Sequence, residues 1–135
     1  MSGTAPTPGT PRTIAVIGAS SDRGKYGNKC VRAYQRAGYR VFPVNLTEDE
    51  VEGEPVARSV TEVPADLDLI ALYLPPPRTL RVLPAIAEKG AAEGVFFNPG
   101  TWDAAVIAEA ERLGVPARRE CAILAAGFSP GQFPD

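Results

Sequence analysis

Directly after the apolar run Thr13 to Ile17, the chain reads GASSDRGKY, Gly18 to Tyr26. Gly18 permits a sharp turn and lets a ligand approach the backbone closely. Ala19, Ser20 and Ser21 are small, and the two serines add hydroxyl groups. Arg23 and Lys25 add cations, one a planar fork and the other a point charge, and both suit phosphate oxygens. If a helix begins near Tyr26, its first N–H groups and the positive end of its dipole face the same space. The chemistry this pattern suits is the binding of a phosphate-bearing ligand. The alternative is that Gly18 merely closes a strand-to-helix turn, with Arg23 and Lys25 as solvated charges.

Other chemistries are cut away by what the chain lacks. It contains no histidine. A Ser-His-Asp triad, a Cys-His pair, histidine metal ligands and a phosphohistidine relay are therefore not available within it. Cys30 and Cys121 are far apart and form no CxxC pair, which fits a reducing compartment better than a structural disulfide. The formal net charge of −2 gives no reason to expect a nucleic-acid partner, so any anion site must be local. No apolar stretch approaches the roughly 20 residues of a membrane span. The start MSGTAPTPGTP also lacks a signal-peptide core. No membrane association and a cytoplasmic location are expected. A nicotinamide dinucleotide is disfavoured too: the GxGxxG fingerprint needs further glycines where ASSDRG stands. The acid expected after the second strand is replaced by Val44 or Asn45, with Glu48 and Asp49 only later in the loop.

The elements that must position these residues alternate along the chain. TIAVI ending in Gly18 predicts a buried strand. Tyr26 to Ala37 has helical spacing at Tyr26, Cys30, Val31 and Tyr34, with Gly38 as its stop. Arg40 to Val44 predicts a second strand with Pro43 at its end. Leu46 to Pro64 is a polar connector, read as a loop or small hairpin with a brief helical turn near Thr61. Asp68 to Leu74 predicts a third strand, stopped by Pro75-Pro76-Pro77. A helix is expected from near Pro77 to Lys89, kinked or shortened at Pro84. Gly94 to Phe97 predicts a fourth strand, followed by a turn at Asn98-Pro99-Gly100-Thr101. A helix from Trp102 to Leu113 and a fifth strand within Val115 to Arg119 complete the series. The closing GFSPGQFPD is expected to be irregular, and residues 1–11 a disordered tail before a single domain over 12–135. Short apolar strands separated by helices imply an α/β fold: one Rossmann-like, doubly wound parallel sheet of about five strands with helices on both faces. In such a sheet ligands bind beyond the carboxyl ends of the strands.

Four segments stand in order along the expected strands: GASSDRGKYGNK after the first, RVFPVN at the second, LYLPPPRT after the third and FFNPGTW after the fourth. On them the chain resembles the small CoA-binding proteins, whose fold is similar to the N-terminal domain of the succinyl-CoA synthetase α subunit. The resemblance covers about Thr13 to Gly127. It implies that Gly18, Ala19, Ser20 and Ser21 approach the nucleotide phosphates of coenzyme A, with Arg23, Lys25 and Tyr26 on the far side of the loop. Pro43, Val44 and Asn45 would flank the adenosine or the pyrophosphate. Tyr73, Leu74, Pro75 and Pro76 would form an apolar edge, Thr79 would offer a hydroxyl, and Asn98 and Pro99 would lie towards the thiol end. The synthetase phosphorylates a histidine that this chain does not have, so ligase chemistry of that kind is not expected of it.

Each of these residues also has a plainer role open to it. The prolines end a strand and begin a helix, Tyr73 alternates into the core with a wet hydroxyl, and Asn98-Pro99-Gly100 forms a turn without any ligand. Trp102 reads as packing and Cys121 as buried. The expectation is a CoA- or acyl-CoA-binding protein without catalysis of its own. The alternatives are an NAD(P)-binding redox or regulatory protein, and a partner-binding scaffold with a vestigial pocket.

Overall fold

A computed structural model describes residues 10–135. The tail expected over 1–11 lies outside these residues except for Thr10 and Pro11, which are exposed and outside any strand or helix. The elements in chain order are β1 (Thr13–Ile17), α1 (Tyr26–Arg36), β2 (Arg40–Val44), β3 (Glu50–Val51), β4 (Glu54–Pro55), β5 (Leu69–Leu72), α2 (Pro76–Lys89), β6 (Val95–Phe97), α3 (Ala104–Leu113), β7 (Ala117–Arg118) and α4 (Ala122–Ala125). Five strands form one parallel sheet in the order β2-β1-β5-β6-β7, and β3 and β4 form a separate two-stranded hairpin.

Period-two alternation along the buried strands divides the core between the two faces of the sheet. Ala15, Ile17, Ile70, Leu72, Val95 and Phe97 point to the side covered by α2 and α3. Ile14, Val16, Leu69, Ala71 and Phe96 point to the side covered by α1, α4 and Phe133. The fold is thus the doubly wound α/β architecture that the alternating pattern implies. The chain steps from β1 outward to β2, then returns to β5 on the other side of β1. Connections leaving β1 and β5 therefore diverge to opposite faces, and a crevice opens at their carboxyl ends.

Several boundaries differ from the sequence expectation for local reasons. Pro43 is the fourth residue of β2, tolerated because β2 is an edge strand. Its carbonyl instead accepts from the Ala57 N–H. The helix α2 begins at Pro76, one residue early, with Pro75 as its cap. Pro84 does not shorten it: Leu80, whose carbonyl loses a partner, lies on the exposed face with Pro84, where water can serve. The helix α3 begins at Ala104 because Asp103 caps it, its carboxylate accepting the Val106 N–H at 2.9 Å.

The closing segment is ordered rather than irregular. A short 3₁₀ turn spans Pro130–Gln132, and Phe133 is buried edge-on against Phe128. Lys29 and Arg32 on α1 donate to the carbonyls of Phe133 and Pro134. Two aromatic rings supply the apolar area that ties this segment to α1.

Candidate functional site

The turn after β1 is held by the backbone of its neighbours. The Gly18 N–H donates to the Val44 carbonyl at 3.0 Å, carrying the sheet's pairing into the loop. Gly18 has φ +89°, and a Cβ there would lie 2.4 Å from the Tyr73 carbonyl oxygen. Only glycine lets the β1 and β5 loops come this close. Gly27 serves the helix in the same way: a Cβ there would meet the Gly18 carbonyl oxygen at 2.5 Å. The close strand–helix packing that a dinucleotide fingerprint assigns to its last glycine is thus supplied nine residues on.

Two asparagines hold the loop from its flanks. Asn45 Nδ2 donates to the Ala19 carbonyl at 2.8 Å, while its Oδ1 accepts from the N–H groups of Thr47 and Glu48. Buried Asn28 donates from Nδ2 to the Ser20 carbonyl at 2.8 Å, and its Oδ1 accepts from Arg32 Nε. These bonds occupy the Ala19 and Ser20 carbonyls, so neither is left unpaired to repel an anion at the loop. The Ser20 hydroxyl accepts from the Asp22 N–H, and Asp22 in turn accepts from Gly24.

A cleft of about 780 Å³ opens above β2, β1 and β5, within the span of small-molecule sites. The β1 loop contributes Gly18, Ala19, Ser20 and Lys25; the segment after β2 contributes Val44, Asn45 and Leu46 through Glu48. Tyr73, Leu74 and Pro75 form the β5 side, and Arg78, Arg81, Val82 and Ala85 come from α2. Arg58, Ser59 and Val60 come from the segment that enters the 3₁₀ turn Val60–Glu62, which packs against α2. A smaller recess shares Gly18, Lys25, Tyr73, Leu74 and Pro75 with it and adds Tyr26, Pro99 and Thr101.

The charges on these walls are uneven. Lys25, Arg58, Arg78 and Arg81 face one carboxylate, Glu48, although the chain as a whole is formally −2. Arg58 is engaged, donating to the Asn45 carbonyl at 3.2 Å and pairing with Asp49 at 2.6 Å. Glu48 folds back over the loop, with both carboxylate oxygens 3.1 Å from the Ser21 nitrogen. Its pKa is held below the usual range, first by a hydrogen bond from the Ser21 hydroxyl, then by others from the Ser21 N–H and Ser20 and by the charge of Lys25. The anion-binding donors of Ser21 are therefore already satisfied by the chain's own carboxylate.

Of the residues the sequence singled out, Gly18, Ala19, Ser20, Lys25, Val44, Asn45, Tyr73, Leu74 and Pro75 line the main cleft, and Tyr26 and Pro99 the recess. The others lie elsewhere. Arg23 points to the far side of the loop and pairs with Glu52 at 3.4 Å. Ser21 is covered by Glu48, Pro43 is buried within β2, and Pro76 opens α2. Thr79 is buried, its hydroxyl donating to the Leu74 carbonyl. Asn98 is also buried: its Nδ2 donates to the Leu72 carbonyl and its Oδ1 accepts the Ala122 N–H, joining β5 to α4. Arg58, Arg78, Arg81 and Glu48 are the charged cleft residues that motif reading did not assign to the site. The spacing of 78, 81, 82 and 85 on one helical stripe was the available signal for those on α2.

Beneath the crevice the Tyr73 hydroxyl is not wet. It is buried beside the Cys30 thiol without a hydrogen-bond partner among the described residues, and burial pushes its pKa up. Burial also pushes the Cys30 thiol up to about 12, which holds it as an unreactive thiol. Cys121 is half-buried and free, and Trp102 is partly exposed under the Arg119 guanidinium at 5.2 Å.

A family model described as a CoA binding domain matches residues 12–126. The chain belongs to this family. The α subunit of acetate–CoA ligase [ADP-forming] II from Pyrococcus furiosus is 40% identical over 93 residues, 67% of this chain and 20% of that protein. The uncharacterized protein YneT of Bacillus subtilis is 32% identical over 78 residues, 58% of this chain and 55% of its own length. Among solved structures, a conserved hypothetical protein from Pyrococcus furiosus superposes with a TM-score of 0.76 at 34% identity, covering 84% of this chain and 98% of that one. Acetyl-coenzyme A synthetase 1 of Ca. Korarchaeum cryptofilum, in complex with phosphate and ADP, superposes with a TM-score of 0.66 at 27% identity, covering 82% of this chain and 26% of that one. This CoA binding domain is related to the CoA-binding part of acetate–CoA ligases and spans a fifth or less of the length of the ligase relatives it matches first. No helix among the described residues is long and apolar enough to cross a membrane.

Proposed function

We propose that this chain binds coenzyme A or an acyl-CoA in the cleft between β2, β1, β5 and α2, and performs no chemistry on it by itself. One observation carries the reading. Of the 14 basic residues in the chain, nearly all have a carboxylate, a carbonyl or an aromatic ring as partner. Lys29 and Lys89 donate to backbone carbonyls. Arg12, Arg23, Arg32, Arg58, Arg112 and Arg118 are hydrogen-bonded or ion-paired. Arg36, Arg40 and Arg119 lie over aromatic rings. Lys25, Arg78 and Arg81 have no such partner among the described residues, and all three line this cleft. Several like charges gathered around a single carboxylate, Glu48, favour an anionic ligand.

The donor set suits the chemistry of CoA. Lys25 and the N–H groups of Ala19 and Ser20, which have no partner among the described residues, offer positive charge for a pyrophosphate. Val44, Leu46, Val60, Leu74 and Val82 offer apolar wall for an adenine or a pantetheine arm. Titration calorimetry of nucleotide-free protein with CoA, NAD⁺ and ADP tests the reading. Micromolar CoA binding, with NAD⁺ much weaker, is expected. NAD⁺ binding as tightly as CoA would favour a dinucleotide site, and no heat from any of them would leave a partner-binding scaffold.

A further inference from the structure

We infer that the α2 end of the cleft is a second anion subsite, formed by Arg78 and Arg81 with Arg58 from the neighbouring segment. It reads a phosphate on the ribose, so the protein takes 3′-phosphorylated CoA in preference to dephospho-CoA. The inference rests on the CoA reading above and adds to it the part of the ligand that α2 selects.

Two of the three unpartnered cations stand on a different wall from the β1 loop. Pro75, Arg78, Arg81, Val82 and Ala85 all line the cleft, and their spacing of three and four places them on one stripe of α2. The arginines are therefore turned towards the cavity, whereas Leu80 between them is exposed on another face of the helix. Arg78 and Arg81 are adjacent at i and i+3, a like-charge arrangement that costs stability on a helix unless an anion or carboxylate offsets it. Among the described residues neither forms an ion pair or a hydrogen bond. Arg58, two residues before the 3₁₀ turn Val60–Glu62 that packs against α2, is fixed by the Asn45 carbonyl and Asp49, so its position is set before any ligand arrives.

A single pyrophosphate at the β1 loop engages Lys25 and leaves Arg78 and Arg81 unmatched. CoA carries its pyrophosphate on the 5′ side of one ribose and a separate phosphate on the 3′ side. A ligand with two anionic groups so arranged meets both clusters at once. Guanidinium forks suit a terminal phosphate monoester, which has three oxygens to share between them.

The test compares CoA with 3′-dephospho-CoA by calorimetry on the wild type and on the Arg78→Ala/Arg81→Ala variant. The wild type is expected to prefer CoA by roughly tenfold to hundredfold, the range of one or two charge-assisted hydrogen bonds. In the variant the preference collapses to about threefold or less, while dephospho-CoA binds as it does to the wild type. Equal wild-type affinities for the two ligands, or an unchanged preference in the variant, overturn the subsite and leave CoA binding intact. Failure of both ligands to bind the wild type overturns the CoA reading itself.

Discussion

Replacing Glu48 with glutamine removes one negative charge from the cleft and keeps an oxygen for the Ser21 N–H. In the wild type both Glu48 oxygens lie 3.1 Å from the Ser21 nitrogen. The depressed pKa, caused first by the Ser21 hydroxyl, keeps this carboxylate ionised at neutral pH. A ligand phosphate approaching the β1 loop either displaces Glu48 or sits beside it. At a separation on the order of 5 Å, the repulsion between two unit charges is about 0.8 kcal/mol in bulk water and about 3 kcal/mol at an effective dielectric of 20. Glu48 is only half-buried, so a value of about 1–2 kcal/mol applies, and Glu48→Gln should tighten CoA about 5- to 30-fold. Calorimetry at low and at high salt is the assay, and the gain should shrink as salt screens the lost repulsion. Stability should change by less than about 1 kcal/mol, because the amide oxygen still accepts from Ser21. Unchanged or weaker CoA affinity in the glutamine variant would refute the reasoning. Weaker binding would mean that Glu48 accepts a hydroxyl of the ligand instead of opposing its phosphate.

Further outcomes follow from the same geometry. Lys25→Ala should weaken CoA by about 1–3 kcal/mol, whereas Arg23→Ala, paired with Glu52 away from the cleft, should change it little; equal effects in calorimetry would contradict the loop geometry. Gly27→Ala should cost about 1–3 kcal/mol in urea unfolding, because its Cβ meets a backbone oxygen at 2.5 Å. A cost below about 0.5 kcal/mol would show that α1 is not packed so tightly against the β1 loop. Cys30 has its pKa raised by burial from 9.0 to about 12, so the folded state holds that proton more firmly than the unfolded state. Its contribution to stability is complete below about pH 9 and is lost as the pH rises towards 12. The urea midpoint should fall across that window, and Cys30→Ala should flatten the fall; an identical slope in the variant would contradict the assignment.

The parts of the fold that could be read from the sequence were those fixed by local rules. TIAVI and RVFPV coincide with β1 and β2 because continuous apolar runs ended by turn residues have few other solutions in an α/β chain. The family reading likewise rested on four strand-end segments, and three of them supply cleft residues. What was not legible depended on contacts distant in sequence. That Glu48 closes over Ser21 depends on Asn45 holding the β2 loop to Ala19. Asn98 looks like a loop residue open to a ligand, but both ends of its amide are taken up between Leu72 and Ala122. The order of GFSPGQFPD comes from Phe133 finding Phe128 and α1, which no turn signal reveals. The arginines of α2 face the cleft because of how that helix crosses the sheet, which their spacing alone does not reveal.

The central claim is that CoA occupies this cleft with its phosphates against the β1 loop and α2. An NMR titration of ¹⁵N-labelled protein with CoA tests binding and place together. Saturable amide shifts concentrated at Gly18 to Ser21, Lys25, Asn45 to Glu48, Leu74, Arg78 and Arg81 are the predicted result. Shifts centred on α3 and β7, or none at CoA concentrations well above micromolar, would contradict it.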